Sequence, residues 1–542
     1  EKSFFYKQSI RDRQFMRPTQ FFYVFVVLAI AVTAGLASIS LQWLHLLWLF
    51  MPIILLGLYD LVQKKHTLLR IYPVIGHIRY LMESIRPEIQ QYFVESDTNG
   101  MPISREFRSL VYQRAKGVLD TRPFGTLFDV YADGYEWVHH SIAPTDAKKV
   151  NTNVVFGGSE CKQPYTASAL NISAMSYGSL SKNAILALNQ GAKSGGFAHN
   201  TGEGGLSPYH LKPGGDLIWQ IGTGYFGCRD KDGNFNDLLF QEGANANSVK
   251  MIEIKLSQGA KPGHGGILPA AKLTSEIAEI RHVPMGEDVL SPARHSAFDS
   301  PTGLLEFVKR LRELANGKPV GFKLCIGHQR EFISICKAML ETGITPDFIT
   351  VDGGEGGTGA APVELTNSVG MPVKDALVFV NNMLIGCGLR DKVKIIASGK
   401  SLSAFHLLRL LALGADTVNS ARAMMIALGC IQSRSCNTDR CPTGIATQDP
   451  TRYNALDVEE KAKRVAKYHQ STIHNLQELI AAMGLTDGNQ LQLRHINRRV
   501  QGTKVATYSD LYSTISNEQL LDQSNIPAEF AYDWAEAKAT SW

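Results

Sequence analysis

The sequence predicts an α/β protein built on a (β/α)8 TIM barrel and preceded by an N-terminal transmembrane helical hairpin. Three observations predict it. Short apolar runs alternate with helical patterns eight times over roughly 270 residues, the rhythm of such a barrel. Glycine-rich runs follow the ends of these strands. No charged residue occurs between Pro18 and Tyr59, a stretch about twice the roughly 20 residues one membrane-spanning helix needs.

The uncharged stretch divides into two helices, about 21–39 and 43–59, joined by a turn near 40–42. Basic residues flank it: Lys2, Lys7, Arg11, Arg13 and Arg17 before, and Lys64, Lys65, Arg70 and Arg79 after. The positive-inside rule places both ends in the cytoplasm. Tyr23, Trp43, Trp48 and Tyr59 suit interfacial positions. The run is too long, and double, for a cleaved signal peptide. It holds nothing polar enough for a transport path. A membrane-anchored protein with its catalytic domain on the cytoplasmic face is expected, the lipid bilayer being one partner. The domains expected are an anchor (1–62), a connector (63–150) with amphipathic pieces such as 111–118, a barrel with a cysteine loop (151–490) and a C-terminal tail (491–542).

The eight strands are expected to end near Ser173, His199, Ile221, Lys255, Leu324, Asp352, Ala397 and Asn419. A doubly wound sheet is the runner-up, disfavoured because no G-x-G-x-x-G follows the first strand, where a dinucleotide site would require it. The runs after these ends are MSYGSLS (175–181), NTGEGG (200–205), QIGTGYFG (220–227), KPGHGG (261–266), DGGEGGTGAAP (352–362), ASGK (397–400) and NSARAM (419–424). A barrel carries its active site on these loops, and the loops after strands seven and eight commonly bind phosphate. Glycine lets backbone N–H groups approach a flat ring or a phosphate closely. Ser398, Gly399, Ala421 and Arg422 therefore suit the phosphate of a flavin mononucleotide. The formal net charge is only +5, and no basic stripe interleaved with aromatics occurs, so no nucleic acid partner is expected.

Eight cysteines are present, and five are scattered as small buried hydrophobes would be. The other three, Cys430, Cys436 and Cys441, share one short run, GCIQSRSCNTDRCPTG. Three thiols on one loop suit a soft multi-iron centre better than zinc, which wants a fourth ligand. They match none of the common four-cysteine ferredoxin runs, and a disulfide is disfavoured in the cytosol.

The runs AMSYGSLSK, NTGEGG, IEIKLSQGAKPGHGG, GGTGAAP and ALGC…C…CPTGIATQDP resemble the flavin domain of glutamate synthases over about residues 150–490. They point to the stand-alone, membrane-anchored relatives of the large-subunit flavin domain. The resemblance implies a barrel-bound FMN that reduces 2-iminoglutarate to glutamate, and a [3Fe-4S] cluster on the three cysteines. It implies that Lys261 and Arg281 bind the substrate carboxylates, that Glu203 is an active-site acid, and that Lys323 stabilises the reduced flavin. Lys255 points into the same mouth. Met175, Ser176 and Gln220 are expected at the flavin ring, with Gly356, Gly357 and Thr358 among the cofactor-binding residues.

Departures from the family pattern are also legible. The synthases begin with a glutamine amidotransferase domain, where this chain has the apolar hairpin, so glutamine hydrolysis is not expected. The family's C-terminal β-helix is not expected either. His264 and Ile267 stand where the synthases have Glu and Gln, and Gly327 stands where they carry a glutamate linked to ammonia delivery. His264 or His328 could exchange protons near neutral pH. Two functions follow. One is an FMN and iron–sulfur oxidoreductase interconverting a 2-oxo acid plus ammonia and an amino acid, with a separate electron donor or acceptor: a ferredoxin, a reductase subunit or a quinone. The other is an electron-transfer subunit of a membrane redox complex that no longer turns over amino acids.

Overall fold

The computed structural model describes residues 17–542. Two compact units make up the chain, one ending at Ser96 and the other comprising Asp97–Trp542. The division falls inside the stretch 63–150 that reads as one connector.

The first unit begins with α1 (Pro18–Ile39), whose first residue is a proline, a residue pre-set for a helix start. A 3-10 turn, Leu41–His45, leads straight into α2 (Leu46–Val62). Both Pro18–Ile39 and Leu41–Val62 are long and apolar enough to cross a membrane. Of the flanking basic residues, Lys2, Lys7, Arg11 and Arg13 lie outside the described part. The two helices meet closely: a Cβ on Gly57 would fall 2.1 Å from the Phe22 ring, and Phe25 packs edge-on against Phe50. Small residues at such crossings are what lets apolar helices pair. After α2 the chain turns into α3 (Gly76–Ile89).

In the second unit eight parallel strands close into a barrel: β1 (Leu170–Ile172), β2 (His199–Asn200), β3 (Leu217–Ile221), β4 (Val249–Lys255), β5 (Val320–Leu324), β6 (Phe348–Asp352), β7 (Lys394–Ser398) and β8 (Thr417–Ser420). β8 pairs with β1 to complete the ring. All eight end within one residue of the expected positions. The strands are buried on both faces, so they read as apolar runs.

The lower end of the barrel is plugged. An antiparallel hairpin, Val154–Phe156 with Tyr165–Ala167, packs Val154, Phe156 and Ala167 against Ala198, Ile218, Met251, Phe348 and Ile396. Because strand side chains alternate with period two, the next inward layer is Asn200, Gln220, Glu253 and Thr350. That layer is polar, and two residues further on each strand reaches the mouth. Outside, helices such as Lys182–Gly195, Pro301–Leu314 and Val458–Ala482 bury one apolar face each. Ser181, Ser300 and Asp457 cap them with side-chain oxygens on backbone N–H groups. The amphipathic piece expected at 111–118 belongs to the helix Arg105–Lys116.

Strands Ile496–Gln501 and Lys504–Thr507 pair with each other and, through Ile496–Arg498, with Glu136–Val138. Glu136 fastens this sheet to the barrel. Its carboxylate accepts from Lys374 Nζ at 2.5 Å, Arg409 Nη1 at 2.7 Å and the Tyr508 hydroxyl at 2.6 Å. Burial pushes its pKa up, but Arg409, Lys374 and Tyr508 outweigh that and hold it down at about 2. A carboxylate held below its unfolded value contributes stability that is complete above the unfolded pKa and is lost as pH falls toward 2. Glu136→Gln is therefore expected to destabilise the fold by about 3 kcal/mol at neutral pH. It should also flatten stability against pH below about 4.3, the ordinary glutamate value. Chemical denaturation at neutral and acid pH checks both.

Candidate active site

The mouth of the barrel gathers charged side chains out of water. Lys255 ends β4, and its Nζ donates to Glu203 Oε1 at 2.7 Å. Glu203 comes from the loop after β2, where Gly202 has φ +66°, a conformation glycine adopts without cost. A Cβ on Gly202 would lie 2.7 Å from the Ser176 backbone N, so glycine lets the Glu203 loop seat directly against Met175–Ser176. Lys261 and Arg281 complete the cluster at 2 % and 4 % exposure. Arg281 donates to the Tyr177 carbonyl at 3.2 Å and lies 3.5 Å from Ser176 Oγ, while its Nε has no partner.

Electrostatics within the cluster run one way. Burial raises the Glu203 pKa, but Lys255, Arg281 and Lys261 outweigh it, and the net shift is downward. Glu203 is thus an ionised anchor at neutral pH. Burial lowers Lys261 to about 8 and Arg281 to about 10, in each case against the pull of Glu203. Three cations facing one carboxylate leave two net positive charges, the complement of a dicarboxylate.

Below this cluster Glu253 is fully buried. It accepts from Asn200 Nδ2 at 2.8 Å, Gln220 Nε2 at 2.6 Å and Thr350 Oγ1 at 2.6 Å. Lys323, at the end of β5, pairs with Asp352 at 3.2 Å. Burial opposes its charge, but Asp352, Glu253 and Glu203 more than compensate and raise its pKa.

The remaining expected residues fall into groups around the mouth. Arg422 donates to the Thr358 carbonyl at 3.1 Å and lies against Gly357, joining the Gly356–Thr358 loop to the helix after β8. Ser398 Oγ is 3.4 Å from Ser173 Oγ. Gly399 follows Ser398, and Ala421 precedes the helix Arg422–Leu428, whose leading N–H groups have no intrahelical acceptor. Gln220 lies below the mouth, held by Glu253. The His264 side chain is exposed, with Nδ1 2.9 Å from the Gly265 carbonyl, while its backbone N–H donates to the Lys261 carbonyl at 3.3 Å. His328 is exposed too, at the start of the helix Gln329–Thr342.

The three cysteines lie on the loop after the helix Arg422–Leu428. Burial raises the Cys430 thiol, with Cys436 and Cys441 adding to the rise. Cys441 shifts the other way: burial is outweighed by hydrogen bonds from Thr443, Ala446 and Ile445, which favour a thiolate. Among the described residues no three His, Cys, Asp or Glu side chains converge to hold a single metal ion.

Sequence reasoning missed several contributors. Glu253 carried a signal: in VKMIEIK two charges two residues apart must share one face of a buried strand. Lys272 carried none. It is buried and donates to the Ser179 carbonyl at 2.8 Å and the Cys436 carbonyl at 3.4 Å, tying the loop after β1 to the cysteine loop. His295 supports Lys255 by contacting its carbonyl at 2.9 Å, and burial lowers it to about 4.

Comparison with known proteins adds to this geometry. Residues 138–486 match the family described as the conserved region in glutamate synthase. The chain is 38% identical over 504 residues to the glutamate synthase large subunit-like protein YerD of Bacillus subtilis (strain 168), covering 85% of this chain and 95% of that protein. It is 39% identical over 332 residues to the archaeal glutamate synthase [NADPH] of Methanocaldococcus jannaschii, a match spanning 60% of this chain and 62% of that protein. A solved mutant flavocytochrome b2 with pyruvate bound is similar at TM-score 0.43 and 12% identity, over 81% of this chain and 91% of that one, too distant to bear on the chemistry. With the family region covering most of the barrel unit and a near full-length relative, the chain belongs to the glutamate synthase family.

Proposed function

We propose that this glutamate synthase-like oxidoreductase uses FMN and a [3Fe-4S] cluster to reduce a 2-imino dicarboxylate, formed from 2-oxoglutarate and ammonia, to an amino acid such as glutamate, or to run the reverse. Electrons pass to or from a separate carrier: a ferredoxin, a reductase subunit or a quinone. The observation that carries this reading is the buried cluster of Lys255, Lys261 and Arg281 around Glu203.

The donor sets fit both groups. Ser398, Gly399, Ala421 and Arg422 offer hydroxyl, backbone and guanidinium donors to a phosphate, and Met175, Ser176, Gln220 and the loop Gly356, Gly357, Thr358 would lie about the ring. Lys323 would face the flavin's pyrimidine end. Cys430, Cys436 and Cys441 supply sulfur alone. In a cluster each thiolate binds its own iron, so the three need not converge on one point. When bound, FMN supplies a hydride equivalent and the cluster single electrons.

The chain's own residues do the rest. Lys261 and Arg281 bind the two carboxylates. Glu203, ionised, orients Lys255. Lys255 Nζ donates one N–H to Glu203 Oε1 at 2.7 Å and would deliver another of its protons to the substrate nitrogen. The two apolar helices serve as a membrane hairpin that holds the barrel at the cytoplasmic face.

Anaerobic, photoreduced protein mixed with 2-oxoglutarate and ammonium should reoxidise its flavin. Omission of either component should abolish the reaction. Silence with these and with a panel of other 2-oxo acids would favour the electron-transfer subunit, which Ile267, in place of the family's glutamine, favours along with a changed substrate.

A further inference from the structure

We infer that α3 (Gly76–Ile89) lies flat in the interface of an anionic bilayer as a second membrane element beside the hairpin; the inference rests on the hairpin spanning a membrane. The apolar residues of this helix are Ile78, Leu81, Met82, Ile85 and Ile89. At 100° per residue they occupy one continuous stripe. All five are exposed, Ile78 at 58% and Leu81 at 56%, and Gly76 is the helix's one buried residue. The opposite side carries Tyr80, Glu83, Ser84 and Pro87. Arg79 and Arg86 border the stripe on one flank and Glu88 on the other, with Arg79 and Glu83 paired at 3.6 Å. A helix with an exposed apolar stripe and charged flanks suits the boundary between headgroups and acyl chains.

What covers the stripe follows from where the helix starts. Asp60, in the last turn of α2, is fully buried. Its carboxylate contacts His77 Nε2 at 2.9 Å and accepts from the Val74 backbone N at 2.9 Å. These bonds pin the first turn of α3 to the end of the second span, at the depth where that span leaves the hydrocarbon. The intervening segment and the helix carry Lys64, Lys65, Arg70, Arg79 and Arg86 against Glu83 and Glu88. This excess of positive charge attracts an anionic lipid surface. Just beyond α3, Tyr92 and Phe93 are 52% and 84% exposed, and aromatic rings of this kind favour the headgroup level.

The test places a photoreactive amino acid at single positions of the full chain in vesicles of phosphatidylethanolamine and phosphatidylglycerol. Positions 82 and 85 should give roughly tenfold more lipid adduct than positions 83 and 84. In vesicles of phosphatidylcholine alone the yield at 82 should fall about fivefold, because the basic residues lose their attraction. Controls at positions 28 and 55, within the two spans, report on the hairpin. If they label lipid while 82 and 85 label protein or nothing, the interfacial helix is wrong and the hairpin stands. If 28 and 55 fail as well, the membrane reading itself falls. Equal yields at 82 in both lipid mixtures would overturn the preference for an anionic surface.

Discussion

Replacing Lys261 with methionine is expected to lower kcat/KM for a 2-oxo dicarboxylate by roughly 10²- to 10³-fold, with most of the loss in KM. Removing one partner of a buried, hydrogen-bonded charge pair costs about 2–5 kcal/mol, and each 1.4 kcal/mol is a factor of about ten. Lys261 is 2 % exposed, so no water takes over its role. The pH dependence carries a separate signature. Burial holds the Lys261 pKa at about 8 in the free protein, so the cation needed for a carboxylate fades as pH rises through that value. With free ammonia held constant, kcat/KM of the unaltered protein should fall about tenfold per unit above pH 8, because that ratio reports the free enzyme. Lys261→Arg should keep the charge and move the limb upward. Lys261→Met should have no such limb. An unchanged kcat/KM in Lys261→Met would falsify the role assigned to this residue.

The barrel and most of its mouth were legible for one physical reason. Strands covered on both faces must be apolar throughout, and the loops that leave them must turn sharply beside a ligand site. The chain therefore punctuates apolar runs with glycine, and strand ends such as Lys255 and Asp352 stand out. The charged cluster was legible through the family resemblance, whose runs contain Glu203 and Lys261, but its sign logic was not. The resemblance implies an active-site acid at Glu203, and the packing of three cations around it keeps it ionised. His264 sits in the same motif as Lys261, yet three residues along a turn are enough to carry it from a buried site to an exposed rim. Lys272 and the Asp60–His77 contact were invisible because each joins segments whose approach no local pattern encodes. Residues 491–542 give no long periodic signal, but their two strands borrow regularity from Glu136–Val138, far away in sequence.

Glu253→Leu is expected to destabilise the barrel by about 3–5 kcal/mol, the scale for breaking a buried charged network from one side. The change would strand the side-chain donors of Asn200, Gln220 and Thr350, each of which now has a Glu253 oxygen within 2.8 Å. It would also remove one of the negative charges that keep Lys323 protonated in a buried site. Glu253→Gln separates these contributions. Its carbonyl oxygen can still accept from Asn200 and Gln220, and the Thr350 hydroxyl can turn to accept from the new amide. What Gln removes is the charge. If Glu253 serves to hold a cation at the mouth, Lys323→Met should cost less in the Glu253→Gln background than alone. A coupling of about 0.5–3 kcal/mol is the range for contacting groups, and chemical denaturation of the four proteins measures it. Zero coupling would make Glu253 a hydrogen-bonding plug and leave Asp352, 3.2 Å away, as the counter-charge of Lys323. A measurable coupling would mean that the polar layer above the hydrophobic plug is built for its charge. An apolar layer would pack the barrel as well, but it would leave Asp352 without the help of Glu253 in keeping the buried Lys323 protonated at the mouth, where the proposed chemistry adds electrons.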